Sequence, residues 1–218
     1  MLDPLVTRLS ALVGPDVAIA SSEVGSEDGL LAPEHDAIAN AIPKRRAEFA
    51  AGRRAARYAL ASAGHAPTAI PMGEGRAPIW PTGTVGSITH DTGLALACVA
   101  PVNRITHLGI DLTEAAAFPN HLRERILCSK AEKAASGQEA RLIFSAKEAV
   151  FKAFYPDVGG YFGFEAVEIT PDIAAERFKV HLLRDLGRVE SGTSFDGTAL
   201  ISDSRLVTLL AVPAEPQP

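Results

Sequence analysis

The stretch from Arg141 to Tyr155, RLIFSAKEAVFKAFY, constrains the fold most tightly. Wound at about 3.6 residues per turn, it gathers Ile143, Ala146, Ala149, Val150, Ala153 and Phe154 into one apolar arc and leaves Ser145, Glu148 and Lys152 on the other side. Such a helix lays its arc on a core and carries charge opposite. Glu148 and Lys152 stand at i,i+4 with the acid first, which by itself describes an exposed ion pair stabilising the helix by roughly 0.2–0.5 kcal/mol.

A chain of 218 residues can bury a substantial core, as one domain or two compact halves. Hydrophobic residues at 47%, charged residues at 22% and a slightly positive mean hydropathy describe an ordinary soluble protein. The formal net charge of −5 argues against general nucleic-acid binding. Cys98 and Cys128 make no disulfide framework and lack zinc-motif spacing, so a reduced, cytoplasmic setting is expected. The start, MLDPLVTRLSALVGPDV, has no basic leader and no apolar run approaches the ~18 residues of a membrane span, so neither secretion nor membrane insertion is expected. The proline-rich tail AVPAEPQP is expected to fray.

Residues 4–13 suggest a short helix and Val17–Glu23 a strand; Gly25–Asp36 is acidic and turn-prone. Pro43 opens and Gly64 closes an alanine-rich helix over Lys44–Ala63. Arg46, Arg53 and Arg57 project from one face of it with Arg45 at the neighbouring edge, either as an anion site or as a solvated basic stripe. Gly52, in its middle, costs about 1 kcal/mol relative to alanine and implies a close approach. Residues 66–83 are too rich in proline and glycine for a regular element and read as an ordered loop anchored by Trp80, with Arg76 its only basic side chain. Val85–His90 and Leu94–Val99 form a hairpin through Asp91-Thr92-Gly93, with Ser87 and Thr89 on one face and His90 on the other. His107–Leu112 is a third strand, and 121–135 reads as a helix carrying Arg123, Arg125, Lys130 and Lys133. Beyond Pro156, Phe164–Thr170, Phe178–Leu183 and Thr198–Val212 favour strands, the last as two meeting near Asp203-Ser204. This order of elements predicts an α+β fold, and no short repeat is visible. Phe144, Phe151 and Tyr155 read as core; His35, His65, His107 and His181 read as structural or exposed.

Four segments in one chain order, KRRAEFAAGRRAARYAL (44–60), GRAPIWPTGTVGSITHDTG (75–93), GIDLTE (109–114) and FSAKEAVFKAFYP (144–156), together resemble the 4′-phosphopantetheinyl transferases, specifically the monomeric type serving siderophore, nonribosomal peptide and polyketide synthases. The resemblance spans Lys44 to Pro156; the first 40 residues and the last 60 add little. It implies two similar α+β halves with a pseudo-twofold, dividing near residue 104 into 1–104 and 105–218, with coenzyme A between them. It implies transfer of the phosphopantetheine arm of coenzyme A to a serine of an apo carrier protein, with release of 3′,5′-ADP. Arg45 and Arg53 match positions near the 3′-phosphate, and Arg76, Ser87 and His90 match further contacts to coenzyme A. Arginine presents forked donors suited to phosphate oxygens.

Charge grows on the pyrophosphate during such a transfer, and the resemblance implies a hard divalent ion, Mg²⁺ with Mn²⁺ as the alternative, on Asp111 and Glu148. Lys152 matches a phosphate-contacting cation, and either Glu148 or Lys152 takes the serine proton. The chain departs from the family where glycine, a hydrophobic residue, aspartate, any residue and glutamate usually follow one another. Thr113 holds the last position and Glu114 comes one residue later, on the opposite side of a regular strand. Thr113 or a water then fills that coordination position. The implied partners are acyl, peptidyl or aryl carrier domains with an acidic helix, for which Arg123, Arg125 and Lys130 are candidate contacts, and a monomer is expected. Two rivals stay open: a non-catalytic binder of coenzyme A or carrier, supported by Thr113, and a serine hydrolase built on Ser87, His90 and Asp111.

Overall fold

The computed structural model describes residues 3–91, 93–116, 118–202 and 204–215. Thr92 and Asp203 of the expected turns, and residues 216–218 of the expected frayed tail, lie outside them. The chain divides into two compact units, Met1–Leu108 with Val212–Pro218, and Gly109–Ala211. The division falls four residues beyond 104, and the end of the chain clusters with the first unit, where Ala214 N–H donates to the Arg104 carbonyl at 2.8 Å.

In the first unit, helix α1 (Pro4–Val13) is capped by Asp3, whose carboxylate accepts Leu5 N–H at 2.9 Å, and buries Leu5, Val6 and Leu9. Strands β1 (Ala18–Glu23), β2 (Thr84–His90) and β3 (Leu94–Pro101) form an antiparallel sheet in the order β1-β3-β2. Helix α2 (Pro43–Ser62) lies on it through Ala51, Ala55, Ala56, Ala59 and Leu60, which meet Ile70, Ala95, Ala97 and Val99, with Trp80 packed at the margin. Small side chains let helix and sheet approach closely, and Gly52 marks the tightest point: a Cβ there would sit 2.9 Å from Ile88 Cγ2.

The arginines of α2 are neither a solvated stripe nor all free for a ligand. Arg54 donates to the Glu23 carbonyl at 2.9 Å and to Ser22 Oγ at 3.1 Å, Arg57 pairs with buried Glu34 at 2.7 Å and Arg46 lies 2.9 Å from Glu27. They pin the acidic segment 23–36, which runs through the 3₁₀ turn Ala32–Glu34 into a second at Asp36–Ile38, against the helix.

In the second unit the sheet order is β4 (Ile105–Glu114), β8 (Arg205–Pro213), β7 (Ser194–Ser202), β6 (Arg177–Leu182) and β5 (Val167–Asp172), and the pairs from β5 to β8 are antiparallel. β4 and β8 both cross the boundary between the units. Helix α5 (Gly137–Val158) starts at a capping box in which Ser136 Oγ accepts Glu139 N–H and Glu139 accepts Ser136 N–H at 2.7 Å. Donation from the Ser136 backbone N–H, and then from its hydroxyl, holds the Glu139 carboxyl below its ordinary pKa. The predicted arc of Ile143, Ala146, Ala149, Val150, Ala153 and Phe154 is buried throughout. Ser145, expected on the polar side, is fully buried. Phe144, Phe151 and Tyr155 are half-buried rather than core, and Phe151 groups with Tyr155, Tyr161 and Phe162.

The expected helix over 121–135 is broken into a 3₁₀ turn, helix α3 (Arg123–Ile126) and helix α4 (Lys130–Lys133). The break has an electrostatic cause. Glu132 turns into the core and accepts the N–H groups of Cys128 at 2.8 Å, Ser129 at 3.3 Å and Ile169 at 2.9 Å, together with Lys147 Nζ at 2.8 Å. Cys128 therefore sits at an N-terminal turn held by a carboxylate rather than within a helix.

The first unit contains the same device. Glu34, also in a short helical turn before the unit's long helix, accepts Leu31 N–H and Ile70 N–H at 2.8 Å each and pairs with Arg57 of that helix. In each unit a buried carboxylate ties a long-helix cation to the backbone N–H of an isoleucine beyond that helix. The two units thus share a polar keystone that the sequence, with no visible repeat, did not reveal. Among the described residues, no helix is long and apolar enough to cross a membrane.

Candidate functional site

The second unit brings Asp111, Glu148 and Lys152 together by the crossing of β4 and α5. That crossing requires Gly109, since a Cβ there would lie 1.9 Å from the Ala149 carbonyl oxygen. Asp111, two residues along the strand, and Glu148 and Lys152, on the helix beside Ala149, then meet. Lys152 Nζ donates to Asp111 Oδ1 at 2.7 Å and to the Ile110 carbonyl at 3.0 Å, so it closes on the strand. The expected ion pair along the helix with Glu148 is thereby replaced by one across to β4. Asp111 Oδ2 accepts the Ser145 hydroxyl at 2.8 Å.

Glu148 is half-buried, and among the described residues its carboxylate makes no hydrogen bond or ion pair. Burial pushes its pKa up, the Asp111 charge adds to the rise and Lys152 opposes it. Two carboxylates facing one lysine therefore keep uncompensated repulsion. A divalent cation fits that arrangement, because two carboxylates converge there and a hard cation takes carboxylate oxygens as ligands. Among the described residues no three His, Cys, Asp or Glu side chains form a metal-holding set, so an ion here needs other oxygens, as Mg²⁺ sites with substrate phosphates commonly do.

Thr113 lies two residues beyond Asp111 on β4, hence on its face, and is half-buried; Glu114 is exposed, and the strand runs through both. The strand's regularity keeps the Glu114 carboxylate off the Asp111 face.

The first unit gathers Arg45, Glu48 and His90. Arg45 Nη1 lies 2.9 Å from His90 Nε2, and Glu48 stands 3.6 Å from Arg45 and 3.9 Å from His90. Arginine can only donate, so Nε2 is the acceptor in this contact. Arg53 is buried, stacks 4.1 Å over the Phe49 ring and donates its Nε–H to the Ile70 carbonyl at 2.7 Å. Burial pulls its pKa down to about 10, Glu34 opposing and Arg45 and Arg57 adding to the fall. Arg53 thus has a structural role alongside any ligand role. Arg76 is exposed in a tight turn with φ +69°, a left-handed conformation unusual for a side-chain-bearing residue.

Ser87 is buried within β2, and His90 and Asp111 are engaged by Arg45 and by Lys152 and Ser145. A buried strand serine offers no exposed nucleophile, which removes the hydrolase reading. Of the candidate carrier contacts, Arg123 turns back to the Ala135 carbonyl, while Arg125 and Lys130 are exposed. Sequence reasoning passed over Glu48, Lys147 and Thr208. The first two lie inside the motifs that carried the resemblance; Thr208, on β8, had no local signal.

Two family models match the chain: the 4′-phosphopantetheinyl transferase N-terminal domain over residues 33–100 and the 4′-phosphopantetheinyl transferase superfamily over 107–194. The 4′-phosphopantetheinyl transferase Npt of Nocardia iowensis is 38% identical over 82% of this chain and 87% of its own length. PptT of Mycobacterium tuberculosis is 35% identical over 92% and 88%, and enterobactin synthase component D of Salmonella typhimurium 34% identical over 75% and 70%.

Proposed function

The chain belongs to the 4′-phosphopantetheinyl transferase superfamily, and from that premise we propose that it moves the 4′-phosphopantetheine arm of coenzyme A onto a serine of an apo carrier domain in the cytoplasm, releasing 3′,5′-ADP. The meeting of Asp111, Glu148 and Lys152 carries this reading. Asp111 and Glu148 would hold Mg²⁺, with Thr113 or water beside them. The ion's contribution when bound is to offset charge growing on the pyrophosphate and to orient the displacement. The serine oxygen forms a bond to the phosphorus bearing pantetheine, and the bond from that phosphorus to the bridging oxygen breaks.

Glu148 is the group that accepts the serine proton. Its carboxylate makes no hydrogen bond or ion pair among the described residues and has two acceptor oxygens, so it can serve both the ion and the serine proton, whereas Lys152 is held as a donor by Asp111 and the Ile110 carbonyl. Lys152 fixes Asp111 and offers its remaining N–H to a phosphate oxygen. Arg45, Arg53 and Arg76 supply the positive field for the phosphates of coenzyme A, with His90, held beside Arg45, as a further contact. Arg125 and Lys130 present positive charge to an acidic carrier helix. Asp111, Glu148 and Lys152 are all retained, so Thr113 gives little support to a non-catalytic binder.

The test is intact-protein mass spectrometry of apo carrier domains incubated with this protein, coenzyme A and Mg²⁺, with and without chelator. A chelator-sensitive phosphopantetheine adduct on the carrier serine is expected. Coenzyme A binding without any adduct, across acyl, peptidyl and aryl carriers, would overturn the reading in favour of a non-catalytic binder.

Arg76 provides a separate expectation. Its left-handed backbone costs about 1–2 kcal/mol. Arg76→Gly should therefore hold or raise the unfolding midpoint while weakening coenzyme A binding measured by calorimetry. Unchanged affinity would return Arg76 to a turn residue without a ligand role.

A further inference from the structure

The mechanism above leaves two buried hydroxyls behind Asp111 unused. Ser145 and Thr208 have no accessible surface. Ser145 Oγ lies 2.8 Å from Asp111 Oδ2 and 2.9 Å from Thr208 Oγ1. An ionised carboxylate only accepts, so the single Ser145 proton is committed to Asp111. The Thr208 hydroxyl must then donate to Ser145, giving one direction to the chain: Thr208 to Ser145 to Asp111. Each donation polarises the next, and no water competes at full burial.

On the opposite oxygen, Lys152 donates to Asp111 Oδ1. The carboxylate is therefore gripped at both ends. Lys152 is half-exposed at the end of a flexible stem, whereas Ser145 and Thr208 sit in the packed interior of α5 and β8. The interior pair sets the orientation, and without it Lys152 would draw the carboxylate toward itself.

We propose that Thr208 and Ser145 are positioning residues that hold Asp111 in the orientation in which it receives the divalent ion, making β8 part of the site's support. The inference rests on the assignment of Asp111 as a metal-holding residue, and its test separates the two. Mn²⁺ binding is measured by electron paramagnetic resonance in the presence of coenzyme A and without carrier, so that turnover plays no part.

Asp111→Asn is expected to weaken Mn²⁺ binding most. Ser145→Ala should raise the Mn²⁺ dissociation constant about tenfold, at the lower end of the effect of removing a ligand's supporting hydrogen bond. Thr208→Val, which keeps shape and removes the hydroxyl, should give a smaller loss in the same direction, and Thr208→Ser should bind as the parent does. In the double variant Ser145→Ala with Thr208→Val, the second change should add nothing, because Thr208 acts only through Ser145. If Asp111→Asn weakens Mn²⁺ binding while Ser145→Ala and Thr208→Val do not, the positioning role is overturned and the metal assignment stands. A lowered melting temperature with unchanged Mn²⁺ affinity has the same meaning. If Asp111→Asn binds Mn²⁺ as the parent does, the metal assignment fails and this inference falls with it. Should Ser145→Ala fail to fold, the near-isosteric Thr208→Val decides.

Discussion

Glu148→Gln is expected to reduce phosphopantetheine transfer by at least about a hundredfold, the lower range for loss of a positioned acid–base group, and by more if metal binding is lost as well. Gln keeps the shape of the side chain but neither carries a full negative charge nor takes the serine proton. Stability should change little. The native carboxylate makes no hydrogen bond among the described residues and is opposed by burial and by Asp111, so its removal takes away repulsion rather than attachment. Denaturant unfolding of the variant should give a free energy within about 1 kcal/mol of the parent, the range of a substitution that breaks no buried network. Full transfer activity at saturating Mg²⁺ would remove Glu148 from the site.

Lys147→Ala, one residue away on the same helix, should behave in the opposite way. Its ammonium is enclosed and donates to Glu132 at 2.8 Å, to the Phe164 carbonyl at 2.9 Å and to the Ile126 carbonyl at 3.0 Å. Truncation leaves the Glu132 carboxylate buried without its counter-charge, and breaking such a pair costs about 3–5 kcal/mol. A domain's whole stability is about 5–15 kcal/mol, so the second unit should unfold at much lower denaturant. Lys147→Met, which keeps the stem but not the charge, should recover only part of the loss. Urea unfolding followed by tyrosine and tryptophan emission and by circular dichroism measures this directly. A midpoint matching the parent would mean that Glu132 is held by its backbone donors alone.

Adjacent residues of one motif, Lys147 and Glu148, are thus expected to fail for different reasons. The sequence placed both on one helix and assigned the arc of Ile143, Ala146, Ala149, Val150, Ala153 and Phe154 to the core, because apolar spacing at the helical period is local information. It also marked Gly52 as a close approach, and Asp111, Glu148 and Lys152 as one group through the resemblance of their motifs. It did not show that Lys147 points inward. A lysine beside a glutamate reads as surface charge until its burial partner, Glu132, fifteen residues earlier, is brought against it.

The broken segment over 121–135 misled for the same reason. Its residues are good helix formers, but Glu132 accepts Cys128 and Ser129 N–H groups and starts a new turn. The arginines of α2 were legible as charge and not as clamps, since their acceptors are backbone carbonyls and acids of a loop some twenty to thirty residues earlier in the chain.

What the sequence by itself determined is the long helices and most of the strands, together with the family its motifs resemble, because periodicity, capping and motif spacing act within a few turns of chain. Only the tertiary structure decided which charges are buried struts of the fold. That choice depends on burial and on partners distant in sequence: Thr208 behind Ser145, Glu132 beneath Lys147 and Gly109 under Ala149. A side chain's free energy is set by the groups that replace its water, and those groups are brought to it only by the packing of the whole unit.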